Sequence, residues 1–208
     1  EIGRALGVTT VLEGSVRTSR GRMRIAVQLV NAADGFHLWS ERYDREMRDI
    51  FDVQDEITLA IVDALKIKLF GDERTAALKR GTENAEAHEL YLRGRFSWNQ
   101  RTAEAVRRAA DYYQEAIAQD PRYALAHAGL AECYVLYPWL SVAPPHDSMP
   151  KARTAALRAL EIDDDLAEAH AALGVYLSFY AWDQAGSERE LRRAIELKPS
   201  SATAYHWL

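Results

Sequence analysis

Apolar residues along this chain keep two different periods, and the change between them divides it. Over Thr10–Arg17 and Arg22–Val30 they alternate with polar residues, the period of a strand with one buried face. Thr18-Ser19-Arg20-Gly21 supplies turn chemistry between the two runs, so together they predict a hairpin. Met23, Ile25, Val27 and Leu29 share one face of the second strand and Arg22, Arg24, Ala26 and Gln28 the other, which sets one face on a core and leaves the other mostly wet. A turn at Ala33-Asp34-Gly35 leads to a third strand, Phe36–Tyr43. Ahead of the hairpin, Ile2–Leu6 reads as a helix end closed by Gly7. Beyond it the period lengthens: Asp49 stands where it caps a helix in which Ile50, Val53, Ile57, Ile61, Val62 and Leu65 recur at helical spacing.

Further along, the helical period itself repeats. Ala116 to Ala159 and His127 to His170 are both 43 positions apart, and Ala159 to Ala194 and His170 to Tyr205 are both 35. Two independent markers in one register define a repeat, and a unit near 34 residues built of paired amphipathic helices buries its apolar face only by stacking on its neighbours. The first unit carries Gly94, Ala109, Tyr113, Ala116 and Pro121, with extra residues in the turn from Trp98 to Thr102. His127, Leu130, Ala131, Tyr134, Ala152, Ala156 and Ala159 mark the second, where Asp164 replaces the closing proline. The third has His170, Leu173, Gly174, Ser187, Leu191, Ala194 and Pro199, and a fourth opens at Ala202. These positions resemble the tetratricopeptide family over residues 85–208, in units of 85–122, 123–165, 166–200 and a truncated one from 201. The second unit has an insertion between Val135 and Pro150, and proline's fitness for the first helical position predicts a helix starting at Pro150.

Residues 1–70 resemble a second family. Leu12–Val16, Arg24–Ala32, His37–Asp44 and Asp49–Ile57 occur in the order found in the later part of the TolB-amino-terminal-like domain. The resemblance implies a place in bacterial multidomain signalling proteins, between an effector (a kinase, an adenylate cyclase or a winged-helix domain) and a tetratricopeptide array. The expected fold is therefore a small α+β domain of antiparallel strands and helices over 1–70, a linker over 71–84, and an all-α tetratricopeptide solenoid over 85–208. A start at Glu1 and a stop at Leu208 lead us to expect a piece of a longer protein.

Charge and cysteine content trim the functional classes. Residues 1–70 hold 10 basic and 11 acidic residues and the remainder 16 and 20, so neither part has the basic excess that nucleic-acid binding needs. No apolar run is long enough to span a membrane. Cys133 is the only cysteine, which excludes an internal disulfide or cysteine-cluster metal site and leaves both the bacterial cytoplasm and the extracytoplasmic side of a membrane-anchored protein open.

No cofactor, metal or catalytic residue is expected. Asp49 and Asp52 suit a helix's first turn, Asp55 and Glu56 its exposed face, and Asp163-Asp164-Asp165 lacks the spaced ligands of a calcium loop. His127 and His170 share one repeat position and read as packing residues. The tetratricopeptide resemblance implies a groove for a peptide or partner helix lined by His88, Tyr91, Arg95 and Trp98, then Leu125, Ala128, Glu132 and Val135, then Glu168, Ala171, Val175 and Ser178. Tyr137 and Trp139 of the insertion are further contact candidates. Two alternatives stand beside this one: an enzyme pocket at the joint of the two domains, using His37 and Asp44, and homo-oligomerisation through the open end of the array.

Overall fold

A computed structural model describes residues 7–46, 50–65 and 81–208, in two compact units that divide between Arg80 and Gly81. The helix expected over Ile2–Leu6, the Asp49 cap and most of the linker lie outside the described residues.

Strands β1 (Thr10–Ser19), β2 (Arg22–Asn31) and β3 (His37–Glu46) form an antiparallel sheet in the order β1-β2-β3. Arg20 and Gly21 both take positive φ, 49° and 77°, the conformation that a two-residue hairpin turn demands. Helix α1 (Ile50–Ala64) covers the sheet by packing Val53 against Met23, Ile25, Val27 and Tyr43, with Trp39 and Ile57 at the margin. Leu12 and Val16 lie on this same face of β1 but stay 51% and 64% exposed, because the described helix does not cover the edge strand.

The second unit is a stack of helical hairpins: α2 (Ala85–Trp98) with α3 (Ala103–Gln119), α4 (Ala124–Leu136) with α5 (Pro145–Ile162), and α6 (Ala167–Tyr176) with α7 (Gln184–Leu197). Helix α8 (Ala202–Trp207) opens a fourth. Small residues on the first helix of each pair admit large ones from the second. The Tyr113 ring of α3 fills the space beside Gly94 of α2 and Gly129 of α4, where an added Cβ would come within 2.5 and 2.6 Å of it. Gly174 does the same for Leu191.

The histidines at the repeated position act on the turns. His127 Nε2–H donates to the Pro121 carbonyl at 3.1 Å, and His170 Nε2–H to the Asp164 carbonyl at 2.9 Å, each six residues back. Gly81–Asn84, which the sequence assigns to the linker, is bonded into the array. The Thr82 hydroxyl donates to Asp120 at 2.5 Å, and the Asn84 carboxamide oxygen caps α2 through the amides of Glu86 and Ala87.

The insertion differs from expectation. Helix α5 starts at Pro145, not Pro150, so Pro150 stands inside it. Pro145 satisfies the same preference for the first helical position one and a half turns earlier, and the extra residues fall mainly in the connection over 137–144 between α4 and α5. Tyr137 packs edge-on against Tyr134 with ring centroids 5.4 Å apart. Trp139 meets Phe179 and Trp207 at 5.3 and 5.2 Å, the former on a π-helical turn, Leu177–Ala181, that follows α6.

Candidate functional site

The face made by the first helices holds a depression of about 420 Å³, lined by Trp98, Arg101, Glu132, Val135, Val175 and Trp207 among others. Each helix contributes because the repeat register returns the same positions to this face: Trp98 ends α2, Glu132 and Val135 come from α4, Ala171 and Val175 from α6, and Thr203 and His206 from α8.

Its electrostatics centre on Glu132, only 7% exposed. Arg95 Nη1 donates to Glu132 Oε2 at 2.7 Å. Burial pushes the Glu132 carboxyl up to about 7; Glu168 adds to this, while Arg95 and Arg101 oppose it without cancelling it. Arg95 keeps its proton firmly despite partial burial, held by the Glu132 charge. Two cations lie against Trp98, the Arg95 guanidinium 4.7 Å and that of Arg101 3.5 Å from its ring centroid. Positive φ at Arg101, 55°, turns the chain after α2 so that this residue folds back over the ring. Glu168 is occupied by Lys198, whose Nζ donates to it at 2.7 Å, and these bonds hold its carboxyl below its ordinary range despite burial.

Of the residues expected to line a groove, Trp98, Glu132, Val135, Ala171 and Val175 meet in this depression. Arg95 and Glu168 adjoin it through Glu132, and the other expected residues make contacts outside its lining. His88 contacts the Tyr123 hydroxyl at 3.1 Å, and Tyr91 packs between the rings of Tyr113 and Tyr123 at 5.8 and 5.3 Å. Leu125 and Ala128 belong to the packing between helices, and the Ser178 hydroxyl bonds to Gln184 at 3.1 Å. Arg101, Leu136, Ala172, Thr203, His206 and Trp207 line the depression without having been anticipated. Thr203 and His206 were within reach, because adding the 35-residue interval to Glu168 and Ala171 lands on them.

His37 and Asp44 do not form a joint catalytic pair. They stand seven positions apart along β3, roughly 23 Å at the rise of a strand, and Asp44 is held by Arg22 and Arg24. Asp163, Asp164 and Asp165 bring their carboxylates within 4.8 Å of one another, but Arg193 engages Asp165 at 3.0 Å. Among the described residues no helix is long and apolar enough to cross a membrane.

No family model matches the chain. It is 38% identical over 182 residues to putative adenylate cyclase 3 of Rhizobium meliloti (strain 1021), a match covering 86% of this chain and 31% of that protein. Transcriptional regulator HilA of Salmonella typhimurium is 27% identical over 113 residues, 54% of this chain and 20% of the regulator. The chain thus spans a third or less of the length of these relatives. Solved structures similar to it include the first TPR of Spaghetti (RPAP3) bound to an HSP90 peptide, with a TM-score of 0.46, 17% identity, and 62% of this chain and 91% of that one covered. YrrB, a TPR protein with an unusual peptide-binding site, has a TM-score of 0.43 and 19% identity, covering 76% and 69%.

Proposed function

We propose that this chain is a non-catalytic interaction segment of a bacterial multidomain signalling protein, and that the first-helix face of its array seats an extended peptide or a partner helix. The observation that carries this reading is the depression that joins apolar walls, Val135, Val175 and Trp207, to a cation on its rim. Arg101 is stacked on Trp98 and forms no ion pair among the described residues, so its donors remain for a carbonyl or carboxylate of the occupant. An apolar side chain of the occupant fills the wall between α4 and α6, and its backbone or acidic flank meets Arg101. Kinship with a putative adenylate cyclase, and the likeness of residues 1–70 to the TolB-amino-terminal-like domain, support a signalling context in which an effector lies elsewhere in a longer protein.

Selection of random 12-residue peptides on the full chain tests the site. Arg101→Glu and Thr203→Arg, both on the rim, are each expected to weaken the selected peptides about tenfold or more at unchanged Tm. Lys151→Glu, in the separate groove between α3 and α5, is expected to leave them bound. Peptides sensitive to Lys151→Glu and indifferent to the two rim changes would overturn the assignment.

A further inference from the structure

The tip of the β1–β2 hairpin gathers four arginines within eight positions, Arg17, Arg20, Arg22 and Arg24, in a chain of net charge −5. With Ser19 and Asp44 they surround a surface depression of about 410 Å³. Two features here work against the stability of the sheet, and one carboxylate answers only part of the charge. Arg17 stands directly across from Arg24, a like-charge pair that opposes strand pairing. Arg20 occupies the first left-handed position of the turn, where Asn, Asp or Gly fit at lower cost. Asp44 is shared by two forks: Arg22 donates from Nε and Nη2 to Oδ1 at 3.1 and 2.8 Å, and Arg24 from Nε and Nη2 to Oδ2 at 3.2 and 2.8 Å. Glu46, across from Arg22, is the other carboxylate near the tip. Arg17 and Arg20 form no ion pair among the described residues. Local rules broken together at one place mark a site with a use other than folding.

We propose that the arginine-rich hairpin tip is a binding site for a phosphate monoester, held by Arg17 and Arg20 beside the Arg22–Asp44–Arg24 clamp. Guanidinium forks match the oxygens of a phosphoryl group in pairs, and the Ser19 hydroxyl adds a donor. Four cations drawn around one carboxylate suit a compact dianion. An extended nucleic-acid backbone calls instead for a long stripe of charge.

Calorimetry on the full chain tests this with five probes: a phosphothreonine dodecapeptide, its unphosphorylated twin, AMP, adenosine and a DNA duplex. One phosphorylated probe is expected to bind at least about tenfold more tightly than its unphosphorylated counterpart, with an affinity that falls as salt rises. The double variant Arg17→Ala/Arg20→Gly is expected to lose that preference while its Tm holds or rises, since glycine relieves the turn. Asp44→Asn is expected to tighten binding several-fold, because both forks then turn to the ligand. A response to the phosphopeptide identifies a modified protein as the source, and a response to AMP alone identifies a nucleotide. Equal binding of phosphorylated and unphosphorylated probes, an unchanged double variant, or binding of a DNA duplex with no response to either monoester would each overturn the proposal.

Discussion

Both the sheet and the helical array carry exposed ion pairs, but among the described residues the array alone also buries one. In the sheet unit the ion pairs Arg22–Asp44, Arg24–Asp44 and Arg45–Glu56 lie on the exposed surface, where water and salt weaken them. The array also buries Glu132 against Arg95 and packs its core with alanines and aromatic wedges such as Tyr113. A charge held inside a rigid stack acts through a low dielectric, so the array can present a defined field to a ligand. A charge cluster on a wet sheet face can be rearranged at little structural cost, which leaves it free to serve a soluble anion.

Substitutions sharpen this contrast. Tyr113→Ala empties the space between Gly94 and Gly129 and is expected to cost about 3–5 kcal/mol in denaturant unfolding followed by helical circular dichroism. The effect of Glu132→Gln depends on pH. The unfolded chain releases this proton near 4.5 and the folded chain near 7, so between those values the folded state binds more protons and wild-type stability falls as pH rises. The loss is complete above about pH 7, and Glu132→Gln, which has no proton to release, is expected to gain on the order of 3 kcal/mol over wild type between pH 4 and pH 8. Gly94→Ala or Gly129→Ala drives a methyl into the Tyr113 ring and is expected to cost about 1–3 kcal/mol, although alanine is the better helix former. Asp44→Asn on the sheet face is expected to leave the unfolding midpoint close to wild type. A drop there as large as that of Tyr113→Ala would break the contrast.

The register was legible in the sequence because alanine, glycine and aromatic positions are fixed by helix contact, and contact recurs with every repeat. The hairpin was legible because a two-residue period and a Gly at the turn leave few other solutions. Other features depend on distance rather than pattern. Arg95 and Glu132 stand 37 positions apart, and nothing in a single helix reveals that they meet across two. Arg101 reaches Trp98 through a left-handed turn that no apolar spacing encodes. Proline preference pointed to Pro150 as the start of α5, and the helix begins at Pro145 instead, with Ser148 and Met149, ahead of Pro150, buried.

Hydrogen exchange on the full chain, with and without a selected peptide, tests the central claim that the first-helix face is the binding surface. Protection is expected at the C-terminal ends of α2 and α4, including Arg101 and Val135, and along α6 and α8. Protection confined to α3 and α5 around Ile117 and Thr154, with none at Arg101 or Val135, would contradict it.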